Sequence, residues 1–128
     1  MSRVRHVFGL LGLLILPGLA AAGQRDVHHT FAICTGRLAA QAEHERSLNA
    51  AQADATEALL AHFRELMEAT AVQANWRETI DMRVRAKLAH RAILMRAQAS
   101  AQPKDAKWAD RRARQEIARC NALILNGS

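Results

Sequence analysis

Asn49-Ala50-Ala51-Gln52-Ala53 is the stretch on which the fold turns. It contains neither glycine nor proline and is able to continue a helix. Read that way, residues 30–74 form one helix of roughly 65 Å at 1.5 Å per residue. Read as a break, the same five residues end a first helix and make room for a fourth.

Cys34 and Cys120 decide between these readings. An internal bridge needs Cα atoms roughly 4.4–6.8 Å apart. In a three-helix hairpin with a long first helix, the two cysteines sit at opposite ends. In an up-down-up-down four-helix bundle, Cys34 lies one turn into the first helix and Cys120 about one turn before the end of the last. Those positions share a height on antiparallel helices. The bridge therefore predicts an all-α four-helix bundle with helices near 30–48, 54–73, 76–101 and 104–125. Free thiols or an intermolecular link are the alternatives, and they remove the argument for a break. If formed, the bridge closes a long loop, which the chain-entropy account values at roughly 4.6 kcal/mol.

Composition agrees with the helical reading. Half of the 128 residues are apolar, much of that alanine, and only 4% are aromatic. Alanine, arginine, leucine and glutamate lose little side-chain freedom in a helix, and few breakers interrupt them. Asp54 with Glu57, and Asn75 with Glu78, have capping-box spacing. Pro103 suits the first turn of the last helix, with Asp105 at its positive end. Asn126-Gly127 is a stop signal.

The N-terminus reads as an export signal. Arg3, Arg5 and His6 lead an almost wholly apolar run from Val7 to Leu19, and Ala20-Ala21-Ala22 supplies the small residues before a cut at Gly23. The run is shorter than the roughly 20 residues a spanning helix needs. The expected organisation is a cleaved segment over 1–22, a flexible lead over 23–29 and a single helical domain over 30–128. No membrane span is expected after cleavage, and the expected location is periplasmic or secreted, where disulfides persist.

The full chain carries a net charge of +6. Residues 23–75 hold four basic and seven acidic side chains, whereas 76–128 hold twelve basic and five acidic. A basic face for an envelope protein or an anionic surface is one consequence; acidic and basic halves complementing each other in one bundle is the other. Export and the lack of aromatics interleaved with the arginines argue against nucleic acid.

Helical phase places Leu59, Leu60, Phe63, Leu66 and Met67 on the buried side of the second helix, and Ala109, Ala113, Ile117, Cys120 and Ile124 on that of the last. Phe31, Cys34, Leu38 and Leu48 define the inner face of the first, with Gln41 and Glu45 in the same arc. Trp76 and Leu94 point inward from the third. The same counting puts Arg37, Glu45, Arg83, Lys87, His90 and Glu116 in one slab near the disulfide end, the candidate functional cluster. It reads either as an ion-pair network that sets helix register or as a seat for a small carboxylate or phosphate. His44 and His90 are the candidates for a metal or haem ligand pair, although no metal set, C-x-x-C-H or Glu-x-x-His pair stands in the sequence. No cofactor is implied. With both cysteines expected in a bridge and no serine near a base, no catalytic residue is assigned and an enzyme is not expected.

Cys34-Thr35-Gly36-Arg37, Glu43-His44, Ala86-Lys87-Leu88-Ala89-His90, Trp108-Ala109 and Cys120 together resemble a group of short secreted alphaproteobacterial proteins of unknown function. The resemblance spans most of the domain. It implies an exported helical domain with paired cysteines, and it carries over no catalytic residue. The expected role is a non-enzymatic interaction or structural module of the cell envelope, the alternative being a bundle that binds a small ligand.

Intact mass of the protein recovered from the periplasm tests this reading. A chain starting at Gly23, two hydrogens light and alkylated at two sites only after reduction, is the expected result.

Overall fold

The structure, a computed structural model, describes residues 18–71 and 75–126. They form four α-helices, α1 (Gly18–Ser47), α2 (Ala53–Ala69), α3 (Trp76–Ala99) and α4 (Pro103–Leu125), with no strand among the described residues. Most of the expected export segment, residues 1–17, lies outside them, as does Gly127. The expected cut before Gly23 falls within α1.

The break at Asn49 is real, and its cause is specific. Asn49 has φ of 51°, in the left-handed region. Its N–H donates to the Arg46 carbonyl at 3.1 Å, and the Ala50 N–H reaches back to the Glu45 carbonyl at 2.9 Å. These are the two bonds of a Schellman cap, which satisfies carbonyls that the helix end leaves free. Asparagine is one of the few residues other than glycine that enters this backbone region routinely. The signal was therefore present in the five-residue stretch, carried by Asn49 alone.

Side-chain pairs give the helix directions. Arg46 donates to Glu57 and His28 meets Thr70, so α1 and α2 run antiparallel. His28 meets Thr79 near one end and His90 meets Gln41 further along, so α1 and α3 run parallel. Arg96 to Asp105 and His90 to Glu116 make α3 and α4 antiparallel. The chain thus runs up-down-up-down. Cys34 and Cys120 are bonded, with Cα atoms 5.7 Å apart.

The packing order was not evident from sequence. α1 is the central helix: it packs extensively on α2 and α3 and touches α4, whereas α2 and α3 do not pack along each other. Gly36 makes the α1–α3 approach possible. A Cβ there would overlap the Arg83 carbonyl oxygen and meet Ala86 Cβ and Lys87 N at 3.0 Å. Ala32, Thr35, Leu38, Ala40 and Ala42 are buried around α1 rather than along one stripe, as a helix covered on several sides requires. The central apolar cluster is Cys34, Leu38, Leu60, Phe63 and Cys120, with Phe31 edge-on to Phe63 at 5.9 Å and Ile117 and Ile124 packed alongside.

Several local expectations change. Gly23–His29 is not a flexible lead but part of α1, because His28 is buried between Thr79 Oγ1 at 2.9 Å and Thr70 Oγ1 at 3.0 Å. α2 stops at Ala69 rather than 73, where the Thr70 hydroxyl takes the Leu66 carbonyl and meets His28. Its N-cap is Gln52, not Asp54, which lies in the first turn. Asn75 does cap α3, accepting from the N–H groups of Arg77 and Glu78. Pro103 opens α4 as expected, with Asp105 in the first turn. Leu48 lies beyond the last turn of α1 and Trp76 at the first turn of α3, and both are exposed.

Replacing Asn49 with valine forces a β-branched residue into the left-handed region and is expected to lower unfolding stability by about 1–2 kcal/mol. Asn49→Gly is expected to leave stability close to the parent value. Urea denaturation of the oxidised protein reads both.

Candidate functional site

The cluster expected near the disulfide end divides into two groups on different sides of α1. Arg37, Glu45, His90 and Glu116 belong to one. Arg83 and Lys87 belong to the other, which opens between α2 and α3.

The first group is a buried polar chain linking α1, α3 and α4. His90 has no exposed surface. Its Nδ1–H donates to Glu116 Oε2 at 3.2 Å, and its Nε2 lies 2.9 Å from Gln41 Oε1. Gln41 donates in turn to Glu45 Oε1 at 2.8 Å. Glu116 also accepts from Arg112 at 3.0 Å and pairs with Arg37 at 3.4 Å. Helical phase puts Gln41 in this arc without giving it a role, and the i,i+4 spacing of Arg112 to Glu116 is the sequence signal for that pair. Glu45 Oε2 is buried without a partner.

Burial pushes His90 below the ordinary histidine value of 6.5, with the Glu116 bond opposing it and the charges of Arg37 and His44 adding to the depression. Glu116 itself is held below the usual carboxylate range: burial works against ionisation, and His90, Arg37 and Arg112 outweigh it. An ionised Glu116 only accepts, so the neutral ring keeps its proton on Nδ1. The Nε2 lone pair then competes with Glu45 for the NH₂ of Gln41, which can face only one of them. Chemically, the group is a hydrogen-bonded network in which Glu45 Oε2 alone is buried without a partner among the described residues. Both ring nitrogens of His90 are engaged, and no group of three His, Cys, Asp or Glu side chains able to hold a metal gathers among the described residues.

The second group lines a groove of about 690 Å³. Thr35, Gly36, Ala39 and Ala42 of α1 form its floor. Leu60, Ala61 and Arg64 stand on the α2 wall, and Ile80, Arg83 and Val84 on the α3 wall. The groove exists because α2 and α3 both pack on α1 without packing along each other. At one end Lys87 is paired with Glu43, and Arg46 donates to Glu57 at 2.8 Å. Toward the other end stand Arg64 and Arg83, neither in an ion pair or hydrogen bond with any described residue. Arg83 Nε is buried and has no acceptor. Helical spacing had shown Arg83 and Lys87 on one line, but only the position of α2 turns that line into a wall.

Part of the basic surface expected on α3 and α4 is paired locally. Arg85 pairs with Asp81 at 2.9 Å and Arg114 with Asp110 at 2.6 Å. Arg96 is held by Asp105 and lies 5.1 Å over the Trp108 ring. That bond in turn holds the Asp105 carboxyl below its usual range. No helix of the described residues is long and apolar enough to cross a membrane.

A histidine buried below its unfolded value stabilises the fold fully above about pH 6.5, and that stability is lost as pH falls, because the unfolded chain binds the proton first. Urea midpoints are therefore expected to fall between pH 7.5 and pH 5.5. The slope is expected to shrink in His90→Gln. An unchanged slope would assign the effect to other groups.

Comparison with protein families, curated proteins and solved structures finds no match to this chain, so the resemblance drawn from the cysteine segments rests on those residues alone.

Proposed function

We propose that this chain is an exported, non-enzymatic binding module of the cell envelope, and that it binds through the groove between α2 and α3. The observation that carries this is the pairing of exposed apolar walls with uncompensated cations. Ile80 and Val84 are about half exposed on α3. Beside them stand Arg64 and Arg83, the two groove arginines without an acidic partner. A concave, mostly apolar surface with a few polar groups that fix orientation is the usual form of a ligand site.

Other features support the same reading. The two cysteines are joined to each other, and His90 is sealed from solvent with both nitrogens engaged, so neither offers a free nucleophile or base. The disulfide is of the kind that persists in an oxidising compartment, in keeping with the basic and apolar lead of residues 1–19. The earlier alternative, an anion seated on the whole cluster of Arg37, Glu45, Arg83, Lys87, His90 and Glu116, gives way to a site that uses Arg83 but not His90. Arg37 and Glu116 neutralise each other inside the bundle.

Native mass spectrometry of the protein recovered from the envelope of expressing cells tests the proposal. The parent chain is expected to carry an added non-covalent mass. Ala61→Trp, which fills the groove from an exposed position on α2, is expected to lose it. A parent chain recovered with no added mass, or a variant that keeps it, overturns the binding role of the groove.

A further inference from the structure

Resting on that binding reading, we infer that the occupant is a single-chain amphiphile with an anionic head, such as a medium-chain carboxylate. The groove has polarity along its length. Its far end, at the level of Glu43 and Arg46, is closed by two ion pairs that tie α1 to α3 and to α2. Arg64 lies two turns back along α2 from Glu57, and Arg83 packs at the level of Gly36. Both free cations therefore stand toward the same end, against a floor that carries at most one side-chain carbon at Gly36, Ala39 and Ala42.

The distance from Gly36 to Glu43 along α1 is about 10 Å at the helical rise. Over that length the groove offers Leu60, Ala61 and Val84 as walls. A molecule with one charged end and one apolar tail satisfies each part in turn. Its head offers carboxylate oxygens to the guanidinium ends of Arg64 and Arg83, which line the groove without an acidic partner among the described residues. Arginine also presents a planar fork suited to carboxylate. Its tail covers Val84 and reaches the small residues that no native side chain fills. A volume of about 690 Å³ lies in the range of small-ligand sites. A peptide helix fits less well, because the far end presents carboxylates already paired rather than free cations along the whole length.

Titration calorimetry of the oxidised mature protein tests the inference, using decanoate below its micellar concentration with decanol as the uncharged control. Decanoate is expected to bind one to one, and decanol about tenfold or more weaker, the scale of a charge-assisted hydrogen bond. Arg83→Gln and Arg64→Gln are each expected to weaken decanoate by a similar factor. Arg83→Gln is also expected to leave the urea midpoint of the ligand-free protein unchanged or raised, since its Nε has no partner to lose. A structural role for Arg83 predicts a fall instead.

Equal binding of decanol, unchanged affinity in both arginine variants, or binding only to phosphatidylglycerol vesicles overturns the amphiphile assignment. So does preference for an acidic peptide. If the envelope-derived protein carries a mass that Ala61→Trp abolishes while decanoate fails to bind, the groove stands as a site and this ligand class falls.

Discussion

The close approach of α1 and α3 at Gly36 is the constraint on which the rest of the molecule depends. Two parallel helices meet backbone to backbone where a Cβ would overlap the Arg83 carbonyl oxygen. That contact makes α1 the central helix, with α2 and α3 packed along it and α4 packed mainly on α3. Each feature described above follows from this placement. Cys34 faces Cys120 because α4 also reaches α1. His90 faces Gln41 because α3 lies on the same helix. The space between α2 and α3 stays open because each has used α1 as its partner.

Polar groups are sorted by that geometry into two chemical environments. On the α3–α4 side of α1, His90, Gln41, Glu45, Glu116, Arg37 and Arg112 form a network in which almost every group has a partner. Such networks specify an arrangement more than they add net stability, and the depressed His90 makes this one sensitive to acid. On the α2–α3 side, Arg64 and Arg83 have none among the described residues. Arg64 is exposed and Arg83 partly buried, beside half-exposed Ile80 and Val84. The difference between the two sides lies in their partners, since both contain arginine.

Much of the bundle was legible from residues alone. The starts of α3 and α4 follow from Asn75 and Pro103, whose backbone chemistry is local, whereas α3 ends at Ala99 rather than 101. The four-helix count was reached through the cysteines, although Asn49 offered a more direct route: an asparagine able to adopt the left-handed conformation ends a helix as glycine does. Gly23–His29 was misread as a flexible lead because the bonds that order it come from Thr70 and Thr79, more than forty residues away. Helical phase correctly gathered Arg37, Glu45, His90 and Glu116, yet it merged them with Arg83 and Lys87. Phase reports a direction from one helix axis and is silent about which neighbour fills that direction.

By itself, the sequence determined the all-helical composition, the caps, the apolar stripes of α2 and α4, and the cysteine pair able to bridge antiparallel helices. These rest on interactions within a few residues or on one covalent bond. Tertiary structure decided that α1 is central, that the polar cluster is two groups, and that a groove lies over Gly36, Ala39 and Ala42. Those outcomes depend on which helix faces which, and that choice is made by packing of small residues over whole helix lengths. A glycine within a helix reads as a mere defect until the backbone that needs its missing side chain is brought against it.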